Sequence, residues 1–296
     1  MNGKNLWQMV KATVNEWLED DASRLAAALA FYTAVSIAPL LVMVILVAGL
    51  VWGGSAVQGQ LMTQIQSAIG PQGAQFVAAV LDNADQPTLG SIAGLISLAV
   101  LIWGSTNVFA QLQSSLNQIW DVEPKPGRGI WGTLKDRTLS FGMVLGIAFL
   151  LLVSLILNAV LSALSSTTTN LLPGTDWLWQ VADFVVSFGI ITLLLAAIYK
   201  VLPDAQIGWR SVWGGAVVTA LLFTIGKSLL ALYLANATSA YGAAGSVMAF
   251  LLWVYYSAQI LFFGAEFTQV YARRYGSGVQ PAENAQFIGQ SQPTAG

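Results

Sequence analysis

The feature that most constrains this chain is six long stretches almost free of charge, each able to cross a bilayer core of about 30 Å, which takes about 20 apolar residues. They fall at 25–52, 89–113, 138–161, 178–199, 211–235 and 247–271. A chain built this way predicts an all-α fold. It is expected to be a polytopic membrane helix bundle with six transmembrane helices plus interfacial amphipathic helices, because only helices and closed barrels satisfy their backbone groups in lipid. The first stretch is longer than the apolar core of a cleaved leader and follows Asp20 and Asp21, so it is read as a retained helix.

The basic residues test the count. Lys4, Lys11 and Arg24 precede the first stretch, and Lys125, Arg128, Lys135 and Arg137 separate the second from the third. Lys200 and Arg210 flank the fourth-to-fifth turn, and Arg273 and Arg274 follow the sixth. The alternate loops, 53–88, 162–177 and 236–246, hold no Lys or Arg, and Lys227 alone falls inside a stretch. Basic loops stay cytoplasmic, so the expectation is a multi-pass protein with both termini in the cytoplasm. Five or seven spans would scramble this segregation.

The segments between divide the chain further. Residues 1–24 form a cytoplasmic amphipathic segment in which Trp7, Val10, Val14, Trp17 and Leu18 recur at helical spacing, as in a helix lying on a membrane surface. Residues 25–275 form the membrane domain. Within it, 54–88 predicts an outer helical hairpin broken at Gly70–Pro71, with Leu61, Ile65 and Ile69 on one arm and Val77, Val80 and Leu81 on the other. The Gly- and Gln-rich residues 276–296 read as a disordered cytoplasmic tail. Close helix approach is expected at the Gly-x-x-x-Gly pairs Gly90/Gly94 and Gly142/Gly146.

Chemistry is sparse. The chain has no Cys and no His, which removes thiolate and imidazole metal sites and the commonest general base. No cofactor or metal is implied, no nucleophile–base constellation is visible, and the expectation is that the protein is not an enzyme. Functional weight therefore falls on polar groups inside the stretches, where a charge near the midplane costs on the order of 3 kcal/mol. Lys227 and Asp183 lie at similar depth in the fifth and fourth stretches and are expected to pair or share a cavity in the outer half. Tyr32, Asn107 and Tyr241 add polar groups to the same substrate-binding set, and Asn107 to Asn117 with Trp120 can shape an inner mouth. Glu266 is expected to form a structural ion pair with Arg273, Arg274 or Arg24. Pro39 should kink the first helix, because it cannot donate to the Val35 carbonyl.

These residues carry a resemblance. Leu25-Ala26-Ala27-Ala28-Leu29-Ala30-Phe31-Tyr32 running to Pro39-Leu40, Asn117-Gln118-Ile119-Trp120, Tyr199-Lys200-Val201-Leu202-Pro203-Asp204 and Tyr241-Gly242-Ala243-Ala244-Gly245-Ser246 resemble the YihY/virulence factor BrkB family, as does Gly264-Ala265-Glu266. The resemblance implies a bacterial cytoplasmic (inner) membrane protein linked to the envelope and to movement of lipid or lipid-linked material. It also brings a ribonuclease BN label. The residues argue against that label, since that hydrolase needs a histidine-rich metal site, and a nuclease needs a basic surface for phosphates. No nucleic-acid partner is expected. The function expected is transport or flipping of a lipid or amphipathic anion, with membrane lipids and a second copy of the chain as candidate partners. The alternative is a non-transporting scaffold for envelope biogenesis.

Overall fold

The computed structural model describes residues 3–52, 54–82, 92–126, 138, 142, 146, 176–237 and 244–289. Seven helices and four short strands lie among them. Helix α1 (Gly3–Glu19) leads through Asp20–Asp21 into α2 (Ala22–Trp52). Asp21 takes a left-handed φ of 52°, a conformation that Asp tolerates better than most residues, and its carbonyl accepts from the N–H groups of Arg24 and Leu25. Helix α2 has 31 residues, about 46 Å of helix, more than a bilayer core needs.

Helix α3 (Gly54–Asp82) is two helices joined at Gly70, whose φ of 78° and ψ of 171° break the ladder just before Pro71. Glycine reaches this conformation without Cβ strain, and proline suits the first turn of the arm that follows. Leu61 and Ile69 of one arm and Val77 and Leu81 of the other pack with Leu41, Val42 and Ile45 of α2. Helix α4 (Ile92–Ile119) ends at Asp121, again with positive φ, and gives way to β1 (Val122–Pro124). Next described are α5 (Asp176–Val201), β2 (Ala205–Gln206), α6 (Trp209–Ala237), α7 (Gly245–Tyr275), β3 (Gln280–Pro281) and β4 (Ala285–Phe287).

Among the described residues four helices are long and apolar enough to cross a membrane: Ala22–Leu46, Trp177–Val201, Trp209–Leu230 and Gly245–Tyr275. Helix α4 occupies the place of the second expected span. The third, at 138–161, lies outside the described residues apart from Thr138, Gly142 and Gly146. Exposed apolar side chains such as Val100 on α4, Val185 on α5 and Leu221, Ile225 and Leu232 on α6 form surface that water does not favour and lipid does.

The main core sits at the end of the bundle where the termini and the described loop Lys and Arg residues collect, called here the basic end. Trp120, Tyr199, Phe262, Leu116, Ile119 and Leu202 are fully buried there, drawn from α4, α5, α7 and the turns beyond them. The indole of Trp120 meets the Tyr199 ring edge-on at 6.1 Å and donates to the Ala265 carbonyl. Tyr199 donates to the Leu261 carbonyl and shares a 3.1 Å hydrogen bond with Thr219. Burying three polar aromatics and hydroxyls is tolerable only because each has a partner.

Two expectations need correction, and a third is refined. The segment after Tyr275 is not a disordered tail over 276–289. β4 pairs antiparallel with β1, and β3 with β2, so two small ladders join the helices. The composition misled because the segment has no core of its own; it uses the backbone of the 122–124 and 205–206 turns and buries Val279 and Ala285. Close approaches are not at Gly142 or Gly146, which face open space, but where Thr268 meets Gly215 and Thr219 meets Gly264 across α6 and α7. Gly90 and the side-chain surroundings of Gly94 lie outside the described residues. Finally, α1 docks on α7 through Met9, which packs with Phe267 and Val270, while the Trp7, Val14 and Leu18 stripe stays exposed. Its apolar face is therefore free to meet a bilayer rather than spent on protein contact.

Candidate functional site at the basic end

The chemistry-bearing side chains converge where four turns meet: the α1–α2 link, the α4 terminus, the α5–α6 turn and the C-terminal ladder. Asn117, on the last full turn of α4, donates to a carboxylate oxygen of Asp204 at 2.9 Å and accepts from the Asp204 backbone N–H at 2.8 Å. Gln113, one turn earlier, donates to the same oxygen at 3.3 Å. Gln118 donates to the Asp20 carbonyl. The side chains of α4 thus fix the α5–α6 turn and the start of α2 together. They do so because residues 113 and 117 recur on one helix face.

These groups wall a cavity of about 680 Å³. Among the described residues its lining includes Asp20, Gln113, Ser114, Asn117, Gln118, Asp121, Glu123 and Asp204, with no Lys or Arg. Ile288, held by its N–H to the Asp121 carbonyl, closes one side. Arg273 pairs with the lining residue Asp121 at 2.6 Å and with Glu16 at 3.2 Å. Gln269 donates to the same Asp121 carboxylate. No group of three or more Asp or Glu among the described residues is placed to hold a metal ion. The described lining thus gathers four carboxylates, of which Asp204 and Asp121 already have hydrogen-bonding partners.

Asp20 carries the perturbed chemistry. Burial pushes its carboxyl up to about 6, with Asp121 and Glu16 adding to the rise and a hydrogen bond with Glu266 and the charge of Arg273 opposing it. Glu266 itself is fully buried on α7, and no N–H or hydroxyl donor reaches either of its oxygens. Its polar neighbour is the carboxyl of Asp20.

The expected site residues are placed as follows. Lys227 and Asp183 are both exposed and form no ion pair with each other among the described residues. Asp183 sits about four and a half turns before the core-facing Tyr199 and so points to the opposite side of α5. Tyr32 is exposed on α2 and packs edge-on against Phe31, and Asn107 is half-buried in α4, so neither lines the cavity. Tyr241 lies outside the described residues. Pro39 packs against Gly104 of α4, where an added Cβ would lie 2.9 Å from the proline ring, which makes it a helix-crossing residue.

The ion pair expected for Glu266 is also corrected. Arg24 pairs with Asp21 in solvent at 3.6 Å, Arg273 serves Glu16 and Asp121, and Arg274 donates to Gln8. All three guanidiniums stay where water reaches them, which costs less than following a carboxyl into the core. Sequence reasoning missed Asp20, Gln113, Asp121 and Asp204. The available signal was their place: acidic residues immediately beside long apolar helices on the side where basic residues collect.

A family model described as Virulence factor BrkB matches residues 13–288. Curated relatives are named UPF0761 membrane proteins. The one from Psychrobacter is 27% identical over 266 residues, covering 88% of this chain and 47% of that protein. The one from Alcanivorax borkumensis is 28% identical over 263 residues, covering 86% and 58%, and that from Alteromonas mediterranea is 27% identical, covering 84% and 83%. The chain spans about half the length of the first two. No solved structure matches it.

Proposed function

This chain belongs to the Virulence factor BrkB family, and on that premise we propose that it moves a solute or lipid headgroup across the bacterial cytoplasmic membrane by way of the cavity at its basic end. The observation that carries this reading is the 680 Å³ polar cavity let into the end of an apolar bundle, which a purely structural helix packing has no need of. The segregation of Lys and Arg supports a cytoplasmic setting for that end and for both termini.

The cavity also changes the substrate expected. An amphipathic anion fits the sequence through Lys227, but the lining presents Asp20, Asp121, Glu123 and Asp204. A headgroup bearing an ammonium or several hydroxyl donors is the better match. No nucleotide-binding loop occurs in the sequence, so movement is downhill or coupled to an ion. The reading includes no catalytic role.

The test is reconstitution in phosphatidylethanolamine–phosphatidylglycerol vesicles, following a fluorescent phosphatidylethanolamine from one leaflet to the other. Wild type should accelerate movement, and Ser114→Trp, which fills the cavity from an exposed position, should abolish it. Equal rates with and without protein would remove the proposal for lipid headgroups. The scaffold reading is favoured by one observation, the buried core around Trp120, Tyr199 and Phe262 at the same end. It predicts no movement and stable co-purification with other membrane proteins. Orientation is tested separately: the chain has no native Cys, so Ser277→Cys should react with a membrane-impermeant maleimide only after cells are opened.

A further inference from the structure

Glu266 is an anomaly at the basic end. A side chain that can ionise is fully buried on a membrane-spanning helix, with neither oxygen receiving an N–H or hydroxyl donor, yet it touches the carboxyl of Asp20. Two carboxyls in hydrogen-bonding reach can bond only when one of them holds a proton. We propose that Asp20 and Glu266 together form a binding site for one proton, which serves as the ion coupled to movement through the adjoining cavity; this rests on the transport reading above.

The geometry supplies the parts of such a site. Glu266 has no route to water of its own, whereas Asp20 lines the cavity, so a proton enters and leaves the pair through Asp20. The Trp120 indole, bonded to the carbonyl of the neighbouring Ala265, closes the bundle side. Facing the pair are Glu16 from α1, Asp121 from the end of α4 and Arg273 from α7. Glu16 and Asp121 make a second negative charge on the pair costly, and Arg273 is already engaged by those same two carboxylates. The raised affinity of Asp20 for its proton, up to about 6, has the sign this arrangement requires. A cationic headgroup arriving in the cavity beside Asp20 would favour loss of the proton, and its departure would favour rebinding. That exchange gives opposite movement of proton and substrate, with charge and protons conserved.

Infrared spectroscopy on the purified protein in detergent tests the site without any transport measurement. A protonated carboxyl C=O band should be present in wild type at pH 5 and vanish as pH rises through the site's titration. Glu266→Gln and Asp20→Asn should each remove or shift it, with circular dichroism confirming the fold. A band indifferent to both substitutions, or no titrating band, overturns the site. In the vesicles described above, a pH gradient should alter fluorescent phosphatidylethanolamine movement several-fold in wild type, and Glu266→Gln should abolish that dependence. Movement unchanged by the gradient, with the infrared band intact, would refute the coupling while leaving both the site and the transport reading standing. A titrating band with no lipid movement at all would leave the site standing, remove the lipid-headgroup reading and overturn the coupling with it.

Discussion

Asn117→Ala should loosen the basic end by about 2–3 kcal/mol, and the figure follows from its two hydrogen bonds with Asp204. The amide donates to a carboxylate at 2.9 Å, a charge-assisted bond worth about 1.5–3 kcal/mol net. The carbonyl accepts a backbone N–H at 2.8 Å, worth about 1 kcal/mol, and the half-buried N–H is stranded when it goes. Gln113 still reaches the same carboxylate oxygen at 3.3 Å, which keeps the total below the sum. The assay is a double-mutant cycle with Asp204→Ala, read by denaturant unfolding in a fixed detergent, since a cycle isolates the pairwise term. The coupling energy should exceed about 1 kcal/mol. Asn117→Asp, which sets two carboxylates against each other, should be worse than the alanine. If Asn117→Ala costs less than about 0.5 kcal/mol, or the cycle shows no coupling, α4 does not hold the α5–α6 turn as argued.

Asp20→Asn addresses pH. The folded-state value of about 6 lies above the ordinary value of 3.8, so the stability wild type gains from protonated Asp20 is complete below pH 3.8 and is lost as pH rises through about 6. The variant lacks that loss and should gain on the order of 1–2 kcal/mol over wild type between pH 4.5 and pH 8, after allowance for solvent screening; unfolding midpoints at the two pH values check the sign, and an equal gap at both would contradict it. Gly264→Val should cost about 2 kcal/mol or more, because even a Cβ there lies 2.6 Å from the Tyr199 hydroxyl and 2.8 Å from the Thr219 Cβ. Thermal unfolding reads it, and a neutral result would mean that α6 and α7 are not in contact there. Removing residues 277–296 should expose the 122–126 and 202–208 turns to limited proteolysis and lower the midpoint by several degrees. Unchanged cleavage would show that the ladders do not clasp these turns.

The parts of this molecule that were legible in its sequence are those governed by one-dimensional rules. Long uncharged runs mark the apolar helices, and that signal does not depend on which way a helix is rotated. The Gly70–Pro71 break was equally local, because positive φ and a missing N–H act on the residue that carries them. Rotation and partnership were not legible. Among the described residues Asp183 and Lys227 form no ion pair with each other, which the sequence did not show because a helix periodicity blurred by apolar residues on every face gives no phase. The tail failed for the opposite reason: its composition was judged alone, while its order is borrowed from two turns more than seventy residues upstream.

That contrast also accounts for the sign of the cavity. Counting basic residues marks the basic end as positive. Among the described residues the guanidiniums of Arg24, Arg273 and Arg274 turn outward, to Asp21, Glu16 and Gln8, and the carboxylates of Asp20, Asp121, Glu123 and Asp204 stand around the opening. A guanidinium keeps part of its hydration at the headgroup level, and a carboxylate can retreat inward if amides such as Gln113 and Asn117 donate to it or if it takes up a proton as Asp20 does. The charge that sets topology and the charge that meets a ligand are thus carried by different residues a few ångströms apart. An inventory of sequence charge reads only the first, and the second becomes visible when the ends of α2, α4, α5 and α7 are brought to one place.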